Sequence, residues 1–248
     1  MEQTVDLITL RAAQNHPALR VLLLSLAESR LFILTDDLAP VRTNGFPVVV
    51  EAPHEEDTPH RDLPIHESAH DEARFVFRAV DHALSEADGN GLPIIVVGPE
   101  RDLSLFAEVS HHRHDIVGTV HGNHLHRRPD ELLDVIEPAR RAYLATLRGQ
   151  AIAKLAHAID AQRAAVDPLE VWRAAQEGRG HLLLVDRTAE LHGEMTGDHF
   201  EWVDADGADV PDAIPAIVMA VVEHGGEVVF TEPGELSGGT HLGLVLRY

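Results

Sequence analysis

The chain contains no cysteine, which excludes disulfides, thiolate metal ligands and a cysteine nucleophile. It has a single lysine, Lys154, so the Gly-Lys-Ser/Thr cradle of a phosphate-binding loop is missing, and Gly89 to Gly91 and Gly238-Gly239 read as plain turns. No apolar run approaches the roughly 18 residues that span a bilayer. Met1 to Ala12 mixes acids with apolar side chains instead of placing a basic stretch before an apolar one. We therefore expect a soluble, cytoplasmic protein without a membrane partner. A Gly-x-Ser-x-Gly elbow is also absent, and Ser68, beside His66 and His70, is expected to cap a helix rather than to attack a substrate. No catalytic residue and no cofactor is expected.

What is abundant is acid. The 248 residues carry a net charge of −21, which argues against simple coating of DNA or RNA. The charge is unevenly spread: −11 over residues 1 to 110, +2 over 111 to 163, and −12 over 164 to 248. The central stretch holds Arg113, Arg127, Arg128, Arg140, Arg141 and Arg148. If the protein touches RNA, that is where the electrostatics allow it.

The length suits one large domain or two of about 100 to 150 residues each, and the 44 % hydrophobic content is ordinary for a globular protein. Val21 to Leu24 and Leu31 to Leu34 read as a strand hairpin and Gly45 to Val50 as a third strand. The segment from Glu51 to Ile65, with three prolines and a Glu55-Glu56-Asp57 run, reads as an exposed loop. A helix from Ser68 to about Ala87, a buried strand at Pro93 to Val97, a helix at Glu100 to Val109 and a strand at Ile116 to Val120 follow, which is an alternating α/β pattern. Pro129 opens a long helix through Leu144 that breaks or continues near Gly149, to about Ala165. Asp167-Pro168-Leu169-Glu170 is a strong helix start, because the aspartate can accept from free amides and the proline sacrifices no bond. Leu182 to Val185 is a buried strand, Gly193 to Asp209 a polar hairpin or loop, and Ala213 to His224 a core helix capped by Gly225-Gly226. Strands at Glu227 to Phe230 and Leu242 to Leu246 finish the chain. We expect domains at 1–147, including the linker helix, and at 148–248.

Several of these stretches resemble one family. Gly91-Leu92-Pro93-Ile94-Ile95-Val96-Val97-Gly98-Pro99, the run from Val171 through Gly180 to Val185, Gly238-Gly239 and the terminal Leu246-Arg247-Tyr248 are similar to segments of archaeo-eukaryotic class I release factors and Pelota. Gly122-Asn123-His124 before the linker helix looks like the bacterial members of that superfamily. The resemblance covers about residues 18 to 248. It implies an α/β fold of two domains joined by a long helical linker: a release-factor domain 2-like unit, then a domain 3-like unit of the ribosomal-protein L30e-like kind. It further implies the ribosome or a translation GTPase as partner, with an rRNA contact through the basic linker, in rescue, stalling or hibernation. Two departures matter. The Gly-Gly-Gln of the release factors has no counterpart between His54 and His66, and Arg148-Gly149-Gln150 lies in the linker helix instead. The family's N-terminal domain has no counterpart in residues 1 to 17.

Histidine is the other surplus, with 18 residues. His111, His112, His114, His121, His124 and His126 gather around one strand, and the alternative reading is a metal-dependent hydrolase in which His121, His124 and His126 hold the ion. No spacing among them matches an established signature such as His-Glu-x-x-His, so the expected metal set is none. An acidic protein-interaction adaptor is the remaining alternative. Because Gly-Gly-Gln is missing, incubation with stalled ribosomes should release no labelled peptide above a protein-free blank; release above it would reverse this reading.

Overall fold

The computed structural model describes residues 17–43, 45–49, 65–87, 89, 91–191, 193–196, 199–202 and 212–248. They fall into two α/β units, His16–Tyr143 and one whose described part runs from Leu144 to Tyr248. The predicted loop from Glu51 to Ile65 lies outside the described residues up to residue 64, as does the segment Met1 to Ala12.

In the first unit, β1 (Leu19–Leu23) and β2 (Arg30–Leu34) pair antiparallel, and β3 (Leu38–Pro40) joins the outer side of β2. α1 (Ile65–Glu86) leads to β4 (Ile94–Gly98), and α2 (Glu100–Val109) leads to β5 (Ile116–His121). These two strands add in parallel, giving the sheet order β3-β2-β1-β4-β5. β1 and β4 are buried along their whole length, because both faces of the sheet are covered; hence their continuous apolar runs. Leu22, Ile94 and Val96 face Phe77, Val80 and Leu84 of α1, and Phe77 meets Phe106 edge-on at 6.2 Å. The opposite face, with Val21, Ile95 and Val97, rests on Leu132 and Ile136 of α3 (Pro129–Asp160).

Two local readings are corrected here. The third strand is Leu38–Pro40, not Gly45 to Val50. Pro47 has no N–H to give a ladder and Gly45 sits at φ +91°, so among its described residues that segment keeps only an isolated bridge between Ser29 and Val48. α1 begins at Ile65, which places Ser68 within its first turn and not at its cap.

The second unit takes the latter half of α3, then β6 (Ala164–Ala165), α4 (Pro168–Gln176), β7 (Gly180–Asp186), the hairpin of β8 (Gly193–Thr196) and β9 (His199–Trp202), α5 (Ile214–Glu223), β10 (Glu227–Thr231) and β11 (Leu242–Leu246). Its main sheet runs β10-β7-β11-β6. α3 passes Gly149 without a break and ends at Asp160, so Ala164 and Ala165 form a short strand where helix was expected. Asp167 caps α4 as its sequence suggests, accepting from the Leu169 and Glu170 amides at 3.0 and 3.3 Å. The face of β11 that meets α3 carries Gly243, where a Cβ would come within 2.5 Å of Leu155; only glycine lets the helix settle that closely. Arg247 explains much of the terminal motif. Its Nε donates to the Gly180 carbonyl at 3.0 Å and its Nη2 to the carbonyl of His224, the residue capping α5, at 2.6 Å. This puts a cation against a helix C-terminus and ties the last strand to the start of β7.

One residue departs from the apolar pattern of β1. Arg20 is fully buried, and donates to Leu84 O at 3.2 Å and to Leu92 O at 3.2 and 3.3 Å, with Asp115 at 4.0 Å. Burial pulls its pKa below the ordinary guanidinium value, and Asp115 opposes that shift. Arg20→Ala should cost on the order of 3 kcal/mol in urea unfolding, since it opens a void and strands two carbonyls. An unchanged midpoint would show that the buried guanidinium is dispensable.

Candidate nucleic-acid interface

The central basic stretch has uneven free charge. Arg140 and Arg141 share Glu137, with Nε to carboxylate distances of 2.7 and 2.8 Å along one face of α3. The arginine hydrogen bonds, Arg140's first, hold the Glu137 carboxyl below its usual range although burial works the other way. Arg128 lies between Asp130 and Glu131 at 3.2 and 3.3 Å, and Arg148 meets Glu235 at 3.3 Å. Four of the six candidate arginines are thus partly neutralised by the protein itself. Among the described residues Arg113, exposed in the turn before β5, has no ion-pair partner, and the Arg127 guanidinium is hydrogen-bonded only to His124.

A cleft of about 470 Å³ opens on the β2 and β3 side of the first sheet. Among the described residues Arg30, Arg42 and Arg127 line it against one carboxylate, Glu28. Arg30 is fixed in place: Glu28 takes two of its N–H groups at 2.7 and 3.0 Å, and the Leu125 carbonyl a third at 3.1 Å. That bidentate pair raises the pKa of Arg30 and lowers that of Glu28, so both stay charged. Arg42 and Arg127 are exposed at the rim. The floor is apolar, with Phe32 and Phe46 more than nine-tenths buried, and the rings at the mouth belong to Pro40, Pro47 and Pro129. Sequence reading missed Arg30 and Arg42 because each is a lone arginine in an acidic segment. No periodicity links them to Arg127, some 85 or more residues away; only the pairing of β2 with β3 brings them beside the loop that enters α3.

The histidines go elsewhere. Among the described residues no three His, Asp or Glu side chains converge as a metal site. His124 donates from Nε2 to the His121 carbonyl at 3.4 Å and accepts at Nδ1 from Arg127, which fits one neutral tautomer. Gly122, at φ +132°, lies so close to that ring that a Cβ would sit 2.6 Å from Nε2, a physical reason for the Gly122-Asn123-His124 sequence. His111 and His112 anchor the turn before β5. Asp81, nearly buried on α1, accepts from the Ser110 hydroxyl at 2.6 Å and the His111 amide at 3.1 Å, with His111 Nδ1 at 2.7 Å. His112 lies between Asp115 at 3.1 Å and Ser85 at 3.0 Å. This has the connectivity of a nucleophile relay. Yet Ser85 sits in the last turn of α1, where its hydroxyl donates back to the Asp81 carbonyl and the local carbonyl dipoles disfavour a developing oxyanion. We assign it a structural part.

Comparison with known proteins places this geometry. A family model described as bacterial archaeo-eukaryotic release factor family 3 matches residues 20–179. No curated protein matches the sequence. Among solved structures, S. cerevisiae Dom34, described as a translation termination-like factor in RNA quality control that interacts with Hbs1, superposes with a TM-score of 0.51 at 11% identity, over 96% of this chain and 64% of that one. Archaeoglobus fulgidus Pelota gives 0.42 at 15% identity, over 95% and 65%. A ribosome-bound archaeal Pelota with ABCE1 gives 0.47 at 16%, over 92% and 61%. The chain spans less than two thirds of the length of each of these, and at such identity the likeness is one of fold.

The Asp81 network carries a pH signature. Burial raises the Asp81 pKa, but the bonds from Ser110 and His111 outweigh it, so the net shift is downward. A carboxylate whose folded pKa is depressed stabilises the fold above its unfolded value, and that stabilisation is lost as pH falls through the folded one. Asp81→Asn should therefore destabilise by roughly 1–3 kcal/mol at pH 7, and the gap to wild type should close below about pH 4. A gap independent of pH would show that the carboxylate charge plays no part.

Proposed function

The chain belongs to bacterial archaeo-eukaryotic release factor family 3, and from that premise we propose that it binds the ribosome or a translation factor in rescue, stalling or hibernation. It acts by contact and does not release peptide. The family match over residues 20–179 is the observation that carries this reading, and the fold likeness to Dom34 supports it. The missing Gly-Gly-Gln favours a non-catalytic role. A translation GTPase is the proposed protein partner, and rRNA the proposed nucleic-acid contact.

Within the central stretch, Arg113 and Arg127 make the main phosphate contacts. Arg128, Arg140, Arg141 and Arg148 contribute less, because each already faces a carboxylate whose attraction a phosphate would have to replace. No described helix is long and apolar enough to cross a membrane.

Co-sedimentation with bacterial ribosomes across a salt series tests both parts. The protein should pellet at low salt and be lost as salt rises. Arg113→Gln combined with Arg127→Gln should weaken binding roughly tenfold and flatten the salt slope, and Arg140→Gln combined with Arg141→Gln should do so much less. Absence of binding at every salt concentration would refute the ribosome reading; full binding by the first pair would move the contact elsewhere.

A further inference from the structure

We propose that the cleft of the first unit is a nucleotide-binding site, in which Arg42 and Arg127 hold a phosphate at the rim and the apolar walls take the base. This goes beyond ribosome association, because it assigns a ligand to a cavity to which the central basic stretch contributes Arg127 alone among its arginines. Three observations carry it. The volume, about 470 Å³, falls in the range of roughly 300–1,000 Å³ occupied by small-molecule sites. Seven of its eleven described lining residues are apolar and the other four are charged, a mix of apolar wall and convergent charge such as small-molecule sites use. Its charge also opposes that of the molecule: among the described residues three guanidiniums face one carboxylate, on a chain of net charge −21.

The guanidiniums divide the work. Arg30 is held by Glu28 and by the Leu125 carbonyl, and so offers a fixed plane on which a base can stack. The Arg42 guanidinium has no partner among the described residues, and Arg127 makes a single bond to a histidine nitrogen, which leaves their forks available for a bidentate phosphate. Glu28 gives specificity of sign and pattern. Each of its carboxylate oxygens receives one Arg30 N–H, and the remaining lone pairs can accept from an exocyclic amine. Pro40, Pro47 and Pro129 present rigid ring surfaces at the mouth that lose little entropy when a base covers them.

Two sources supply this chemistry, a free mononucleotide and an unpaired residue of single-stranded RNA. Fluorescence anisotropy of a labelled 5′-phosphorylated trinucleotide, with CMP and inorganic phosphate as competitors, separates them. The trinucleotide should bind, CMP should displace it, and inorganic phosphate should compete at least tenfold less well. A trinucleotide that binds tighter than CMP identifies the strand as the source, and equal affinities identify the free nucleotide; either supports the site. Arg42→Gln should weaken binding about tenfold and reduce the salt slope by about 0.7 for the lost phosphate contact. Arg42 is exposed, so this variant should keep the wild-type unfolding midpoint, and Arg127→Gln should repeat its effect. Failure of both trinucleotide and CMP to bind, binding undiminished in Arg42→Gln, or phosphate competing as well as CMP would overturn the assignment. Co-sedimentation of Arg42→Gln with ribosomes reads out the other proposal independently, so loss of one leaves the other standing.

Discussion

A charge buried in the middle of a sheet is the constraint around which the first unit is arranged. Arg20 cannot leave its guanidinium unsatisfied in the protein interior, where an unpaired ion costs several kcal/mol. Satisfying it fixes three things at once. The last turn of α1 must offer the Leu84 carbonyl, the turn before β4 must offer Leu92, and the turn before β5 must bring Asp115 near. Asp115 then orients His112, His112 meets Ser85, and the neighbouring Ser110 and His111 close on Asp81. The register of the parallel half of the sheet is thereby set by polar partners as well as by its apolar faces.

Much of the fold could be read in the chain because its signals are local. Apolar runs buried on two faces, the Asp167-Pro168 helix start and the Gly225-Gly226 stop each need only neighbours in sequence, and the α/β architecture of two units follows from their order. The errors arose where context overrode pattern. Val48 and Val49 suggested a strand, but Pro47 and Gly45 could not join a ladder, and the edge position went to Leu38–Pro40 instead. Ser68 looked like a cap since it is a good one, yet the helix extends past it to Ile65. The site was less legible for the same reason in reverse. Counting charge along the chain found the basic stretch. It could not see that Glu137 and Glu235 face its arginines, nor that Arg30 and Arg42 join Arg127 across the β2 and β3 edge.

The two kinds of arginine are built differently. Arg140 and Arg141 on α3 have a carboxylate three or four residues away on the same helix, geometry that helical spacing supplies readily, whereas Arg148 reaches Glu235 far along the chain. The cleft arginines come from a strand, from the segment after β3 and from the loop before α3, so their charges add only in the folded state. Arg30 shows how such a group is kept rigid: it is clamped by a carboxylate two residues away and by a backbone carbonyl far along the chain.

The net charge of −21 has its own effect on which polyanions reach the cleft. A long duplex laid across this protein must also face its acids, which outnumber Lys and Arg by 21, and two exposed guanidiniums at the rim do little to offset that over an extended footprint. A short or frayed strand presents one phosphate at a time and avoids most of the penalty. For the cleft as proposed, the net negative charge would act as a filter on shape, favouring a chain end or an unpaired residue over an extended duplex laid across the same unit.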